Sequence, residues 1–332
     1  MRVKDIGEFA LIERIARIVE KADERVILTI GDDTAVVRKP VLDFALLTTD
    51  LLVEDVHFTL GSIHPRQLGY KSIAVNISDI AAMGGVPGYV VISLALNPET
   101  GVTFVEDLYH GMAEAAHAYG VGIVGGDVTK SDKLIINVAM TGEVEEERLA
   151  RRSNARVGDI IMVTGELGAS AAGLRLVLHP GLEPKVKAAA SLKRAHFEPK
   201  PQVQAGRILA ALGVHAMEDI SDGLASEIGH ICDASEVGAR LYLPKVPIAD
   251  GVDDVTALTG ERAIDLAVSG GEDYELAFTL PASLRALAIQ TLEDAGIKIT
   301  AVGEILDASH GITVVDWDGR ETPLGRVGYT HF

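Results

Sequence analysis

The stretch IAAMGGVPGYVVISLALNP (80–98) carries no charged residue, and its reading decides between a membrane span and a soluble fold. Its length approaches that of a bilayer-crossing helix, yet Gly84, Gly85, Pro87, Gly88 and Asn97 interrupt the apolar run. Glycine and proline punctuate a helix rather than continue it. The stretch reads as the end of a helix over 68–82, a turn, and a strand over 89–96.

Working outward, Phe9, Ile12, Ile15, Ala16 and Val19 recur at helical spacing and predict a helix over 7–22, with Asp5 and Glu8 as a capping box. β-rich runs follow at 26–30, 35–37 and 44–48. Phe104, Leu108, Met112, Ala115 and Tyr119 share one face of a helix over 104–119, after which VGIV leads into Gly125 and Gly126. A strand is expected at 134–141. Strands interleaved with helices indicate a mixed α/β class.

The cluster EEERLARRSNARVGD then breaks the apolar rhythm, which places a domain boundary there, between 1–148 and 149–332. The second half repeats the mixture, with helices expected at 170–178, 202–212, 222–234 and 282–295. Strands are expected at 159–164, 238–243, 276–279, 297–302 and 311–315. No short repeat is visible, which argues against a solenoid.

Composition narrows the function. The 332 residues are 48% hydrophobic and 23% charged, an ordinary globular balance. With 30 Lys and Arg against 48 Asp and Glu, the formal charge of −18 argues against nucleic acid as a partner, and an anionic substrate would need cations as intermediaries. The single cysteine, Cys232, allows no internal disulfide or zinc cluster and fits a reducing, cytoplasmic setting. Nothing in the sequence points to a membrane partner.

The informative pattern is a recurring placement, in which short apolar runs end in Gly, Ser or Thr and then present an acid. It occurs in ILTIGDDTAVV (27–37), FALLTTDLLVEDVHF (44–58), AVNISDIAAMGG (74–85), GIVGGDVTK (122–130), AMEDISDGL (216–224) and AVSGGEDYELAF (267–278). Carboxylates set at element ends inside apolar segments are costly to desolvate without compensating cations or donors. Oxygen ligands with no matching Cys or His cluster favour hard divalent ions, Mg2+ with substrate phosphates foremost. The expected partner is a nucleotide.

Each motif also has a plainer reading. Asp32 and Asp33 suit a polar turn, Asp50 can close a strand, and Ser221 with Asp222 can cap the helix that follows. Asp79 is harder to dismiss, because Asp is a poor mid-helix residue among apolar neighbours. The pair Gly125 and Gly126 before Asp127 suits an ordinary turn or a close phosphate approach. His57 follows the segment EDV, and Arg148, Arg151, Arg152 and Arg156 form either a solvated linker or a phosphate contact. No GxxxxGK[ST], GxSxG, HExxH or protein-kinase signature is present.

In this order, GEFALI, GDDTAV, TTDLLVEDVHF, YKSIAVNISDIAAMGG, GGDVT, ARRSNARVGD, EDISDGL, SGGEDYEL and GYTHF span nearly the whole chain and resemble the thiamine-monophosphate kinase family. That family lies within an ATP-binding superfamily that includes aminoimidazole ribonucleotide synthetase. The resemblance implies a two-domain aminoimidazole ribonucleotide synthetase-like fold. Its N-terminal mixed sheet has helices on one side and pairs in a homodimer, and its C-terminal domain is α/β. It assigns ATP, Mg2+ and dimerisation to the N-terminal domain. The implied activity is transfer of the ATP γ-phosphoryl group to thiamine monophosphate, giving thiamine diphosphate and ADP.

Carried over by residue, the resemblance implies Mg2+ ligands at Asp33, Thr48, Thr49, Asp50, Asp79, Asp127, Asp219 and Asp222. Of these, Asp50, Asp79, Asp127 and Asp219 would serve catalysis through several bound ions. ATP contacts fall on Tyr109, Gly126, Asp127, Arg152 and Ser221, and acceptor contacts on His57, Glu272 and Tyr329. One departure is GGDVT where GGDTT is more usual. A phosphate monoester with a second pKa of about 6 needs no strong general base near neutral pH, so direct transfer without a phosphoenzyme is expected. The alternatives are another ATP-dependent superfamily member, such as aminoimidazole ribonucleotide synthetase, and a noncatalytic Mg-nucleotide-binding protein.

Overall fold

The structure, a computed structural model, describes residues 1–19, 25–28, 36–37 and 41–324. The chain divides into two compact units, Met1–Ile80 with Gly85–Glu146, and Ala81–Gly84 with Glu147–Phe332. Each mixes helices with a sheet.

The first unit runs α1 (Val3–Ile18), β1 (Val26–Leu28), β2 (Val36–Val37), β3 (Phe44–Val53), α2 (Pro65–Ala82), β4 (Val86–Leu96), α3 (Val102–Ala118), β5 (Gly122–Lys130) and β6 (Ile135–Val144). Helix α1 begins earlier than its apolar spacing predicts. Asp5 closes the cap from inside the helix, accepting from the backbone N–H of Arg2 at 2.8 Å, rather than standing ahead of the helix. Four strands pair in the order β3-β6-β4-β5, with β4 and β5 parallel and the other pairs antiparallel.

Strand alternation assigns the two faces of this sheet. Leu52, Val138, Ile92 and Leu94 point inward and are buried, whereas Leu47, Thr49 and Leu51 on β3 and Val91 and Ser93 on β4 are exposed. The glycine pair does not form a turn. Gly125, Gly126 and Asp127 continue β5, and Asp127 pairs with Ser93 of β4. A Cβ on Gly126 would stand 2.1 Å from the Ile92 carbonyl oxygen, so the close approach of β4 admits only glycine.

The second unit begins with β7 (Asp159–Thr164), α4 (Ala169–Leu178), α5 (Ala189–Phe197), α6 (Val203–Leu212), β8 (Ala216–Asp219), α7 (Leu224–Ser235) and β9 (Gly238–Tyr242). It continues with α8 (Val252–Thr259), α9 (Ala263–Ser269), β10 (Leu276–Pro281), α10 (Arg285–Asp294), β11 (Ile299–Leu306), β12 (Ile312–Val315) and β13 (Glu321–Pro323). Its sheet has the order β13-β12-β9-β11-β7-β10-β8 and is antiparallel except between β12 and β9.

Both faces of this sheet are covered, which explains why IIMV on β7 and LAF on β10 are continuous apolar runs. Ile161, Val163 and Ala277 face a core with Leu224, Ile228 and Ile231 of α7. Met162, Leu276 and Phe278 face another with Leu209 of α6 and Leu292 of α10. Among the described residues, no helix is long and apolar enough to cross a membrane.

Candidate active site

Two groups of acids form, one in each unit. In the first, Thr48 and Asp50 lie two residues apart on β3 and so share a face, while α2 supplies Asp79. The Thr48 hydroxyl donates to Asp79 Oδ2. Burial, and then the neighbouring Asp79 carboxylate, push Asp50 up to about 7. Two acids placed this way oppose each other's ionisation unless a cation joins them. Their oxygen-only donor set therefore fits a hard divalent ion.

Other first-unit candidates lie apart from this pair. Thr49 occupies the opposite, exposed face of β3, where its hydroxyl accepts from Asn137 Nδ2 at 3.0 Å. The same exposed face carries Asp127 at the far edge strand. His57 closes the turn after β3, its Nδ1 accepting from the Val53 N–H at 3.1 Å. Tyr109 is 3% exposed within α3, and burial raises its hydroxyl pKa. Asp33, like its neighbour Asp32, and Tyr329 lie outside the described residues.

The second unit builds its group where β8 ends beside β10. Asp219, 4% exposed, pairs with Leu276, and the following loop runs along residues 271–275. The Glu272 N–H donates to the Ser221 carbonyl at 2.7 Å, and the Tyr274 N–H donates to the Ile220 carbonyl at 2.9 Å. These bonds bring Asp219, Ser221, Asp222 and Glu272 into one neighbourhood. Glu272 and Tyr274 hold φ of 66° and 53°, so the segment is fixed in an uncommon backbone shape.

That shape is held from behind. Asp273 accepts from the N–H groups of Gly168 at 2.7 Å and Ser170 at 3.1 Å, at the start of α4. Burial nonetheless pushes Asp273 up to about 7. Glu275 accepts from the Thr164 hydroxyl at 2.5 Å and Gln202 Nε2 at 3.2 Å, and burial raises it to about 7 as well. Glu272 Oε2 lies 3.2 Å from Nδ1 of the buried His196, which also bonds the Ser170 hydroxyl at 3.0 Å.

Neither Ser221 nor Asp222 is the N-cap residue of α7. Gly223, at φ 111°, is the N-cap, and Glu227 in the first turn reaches back instead. Glu227 Oε1 accepts from the N–H groups of Ser221 at 3.2 Å and Asp222 at 2.7 Å. Glu218, Glu227 and His230 offer ligand atoms within 4.8 Å of one another. Positive charge is already present there, because Arg152 Nη2 stands 2.6 Å from Glu218 Oε1. Burial and the adjacent Glu227 raise the Glu218 pKa, while Arg152 opposes part of the rise.

Sequence reasoning passed over Glu218, Glu227, His230, His196, Asp273 and Glu275. A signal for one pair was present: Glu227 and His230 fall at i, i+3 beside Leu224, Ile228 and Ile231, so an acid and a histidine flank an apolar stripe. Such a placement requires partners, and the structure supplies them.

The chain matches the AIR synthase related protein, N-terminal domain, over residues 31–144, and the AIR synthase related protein, C-terminal domain, over residues 156–316. It is 36% identical over 326 residues to the thiamine-monophosphate kinase of Escherichia coli (strain K12), covering 98% of each chain. The crystal structure of thiamine-monophosphate kinase from Stenotrophomonas maltophilia K279a is similar with a TM-score of 0.83 at 34% identity, covering 95% of this chain and 98% of that one. AaThiL complexed with AMPPCP and TMP is similar with a TM-score of 0.77 at 35% identity, covering 100% of this chain and 99% of that one.

Proposed function

The chain belongs to the thiamine-monophosphate kinase family of AIR synthase related proteins, and from that premise we propose how its two groups of acids carry the family's reaction. It is an ATP-dependent kinase with a phosphate group as acceptor, converting thiamine monophosphate and ATP to thiamine diphosphate and ADP. Identity along the full chain supports this activity over aminoimidazole ribonucleotide synthesis or a purely binding role.

The observation that carries the mechanism is the opposed pair Asp50 and Asp79, whose mutual repulsion and burial a divalent cation relieves. We assign Mg2+ to this pair with Thr48, and further Mg2+ to Asp219 and Asp222; Thr49 and Asp127, on the other face of the sheet, would serve ions separate from these, and Asp33 is a further ligand. When bound, Mg2+ neutralises phosphate charge and stabilises the charge that spreads over the transferring group. Gly126, Asp127, Arg152 and Ser221 hold ATP, with Tyr109 as a further contact, and His57, Glu272 and Tyr329 hold the acceptor.

The acceptor phosphate is mostly ionised near neutral pH, so its oxygen attacks the γ-phosphorus directly as the bond to the ADP oxygen breaks. No side chain is required as a strong base. The residues act by positioning two anions in line and by excluding misaligned approaches. The exposed sheet face with Leu47 (79% exposed), Leu51 and Val91 supports a homodimer joined through the N-terminal units. A single buried cysteine, Cys232, is in keeping with a cytoplasmic enzyme.

Chelation tests this reading. EDTA should abolish thiamine diphosphate formation and added Mg2+ should restore it, with Asp50→Asn raising the Mg2+ requirement. Turnover that persists in EDTA contradicts it.

A further inference from the structure

The Ser221–Asp222 loop precedes a helix of 12 residues, the setting in which free backbone N–H groups ordinarily receive a phosphate. Here the N–H groups of Ser221 and Asp222, just ahead of that helix, are already engaged. Glu227, 1% exposed, accepts the N–H of Ser221 at 3.2 Å, the N–H of Asp222 at 2.7 Å and the Ser221 hydroxyl at 3.4 Å, all on Oε1. Its other oxygen, Oε2, lies 3.0 Å from His230 Nδ1.

The opposite edge of the loop is fixed independently. The carbonyls of Ile220 and Ser221 accept from the N–H groups of Tyr274 and Glu272 at 2.9 and 2.7 Å. One carboxylate oxygen on the amide edge and the segment leading into β10 on the carbonyl edge therefore set the direction in which the Ser221 and Asp222 side chains leave the backbone. With those two amides engaged, the loop offers its side chains instead: the Asp222 carboxylate meets a phosphate only through a cation, and the Ser221 hydroxyl can donate to one directly.

We infer that Glu227 is a positioning residue of the kinase, holding the Ser221–Asp222 loop so that its side chains address the Mg·ATP side of the reaction. The inference rests on the assignment of Ser221 and Asp222 to ATP and Mg2+ made above. In this role Glu227 acts through the loop rather than on either substrate. It acts through two accepted backbone bonds, so an uncharged acceptor of the same shape should replace it.

The experiment measures KM for Mg·ATP and for thiamine monophosphate in Glu227→Ala and Glu227→Gln, with circular dichroism and melting to confirm folding. Glu227→Ala should raise KM for Mg·ATP by about tenfold while KM for thiamine monophosphate stays within about twofold. Glu227→Gln, whose amide carbonyl still accepts both N–H groups, should return KM for Mg·ATP to within about threefold of the parent. An unchanged KM for Mg·ATP in a folded Glu227→Ala protein, or equal rises in both KM values, overturns the inference.

Should Glu227→Ala fail to fold, Glu227→Leu, which keeps the bulk and removes the acceptor, takes its place: about a tenfold rise in KM for Mg·ATP with Glu227→Gln near the parent supports positioning, and an unchanged KM in Glu227→Leu, or an equal rise in Glu227→Gln, overturns it. Ser221→Ala and Asp222→Asn run in parallel. If neither alters KM for Mg·ATP, the assignment of the loop to the nucleotide fails and the inference falls with it. If both raise it and Glu227→Ala does not, the positioning role alone fails.

Discussion

The backbone N–H of Glu272 donates to the carbonyl of Ser221 at 2.7 Å, which ties a residue assigned to the acceptor to a residue assigned to the nucleotide. Phosphoryl transfer needs donor and acceptor held in line, and a direct backbone bond between their two binding segments fixes one against the other at little cost in freedom. The positive φ of Glu272 is part of the same construction, since it turns the side chain while the N–H stays on Ser221.

Glu272→Gln should weaken the acceptor and spare the nucleotide. The amide keeps an oxygen for His196 but loses the charge, and a charge-assisted bond is worth about 1.5–3 kcal/mol, so KM for thiamine monophosphate should rise roughly tenfold or more. Steady-state kinetics with each substrate varied in turn check this. A KM for thiamine monophosphate equal to the parent's removes Glu272 from the acceptor site.

Asp127→Asn separates function from stability cleanly, because Asp127 is exposed on its strand and supports no described core contact. Urea unfolding should move by less than about 0.5 kcal/mol, while turnover at ordinary Mg2+ should fall by roughly 100-fold. Full activity would take Asp127 out of the metal and nucleotide assignment.

Asp273 and Glu275 give the fold a pH signature. Burial holds both near 7 in the folded state, above the ordinary 3.8 and 4.5, so between about 4.5 and 7 the folded chain keeps protons that the unfolded chain has released. Their contribution is present at the acid end of that window and is lost as pH rises towards 7, at up to about 1.4 kcal/mol per pH unit for each group. Glu275→Gln should flatten the fall across this window in metal-free urea titrations. Parallel curves for parent and variant would show that Glu275 has an ordinary pKa.

Much of the fold was legible because its signals are local and periodic. The β7 run at Asp159–Thr164 is wholly apolar between its two end residues, as a strand covered on both faces must be, and its observed bounds match the expected ones. Helices α5, α8 and α9 were missed. They have only 9, 8 and 7 residues, too few turns for a helical period to stand out.

The candidate acids were legible in the sequence, but the groups that support them were not. Runs ending in an acid located Asp50, Asp79, Asp219 and Glu272, since a carboxylate amid apolar residues is conspicuous. Which groups face one another depends on pairing across long sequence separations. Thr48 lies 31 residues from Asp79, and Gly168 lies 105 residues from Asp273. The N-cap of α7 fell elsewhere for a related reason: Ser221 and Asp222 carry the usual capping side chains, yet Gly223 takes the position, and Glu227 accepts from the N–H groups of the two residues ahead of it.

The most direct test incubates the purified protein with ATP, Mg2+ and thiamine monophosphate, with thiamine as a control acceptor, and follows ADP and thiamine diphosphate by chromatography. The account predicts the two products in equal amounts, from the monophosphate alone. Tight Mg·ATP binding with no thiamine diphosphate formed would contradict it.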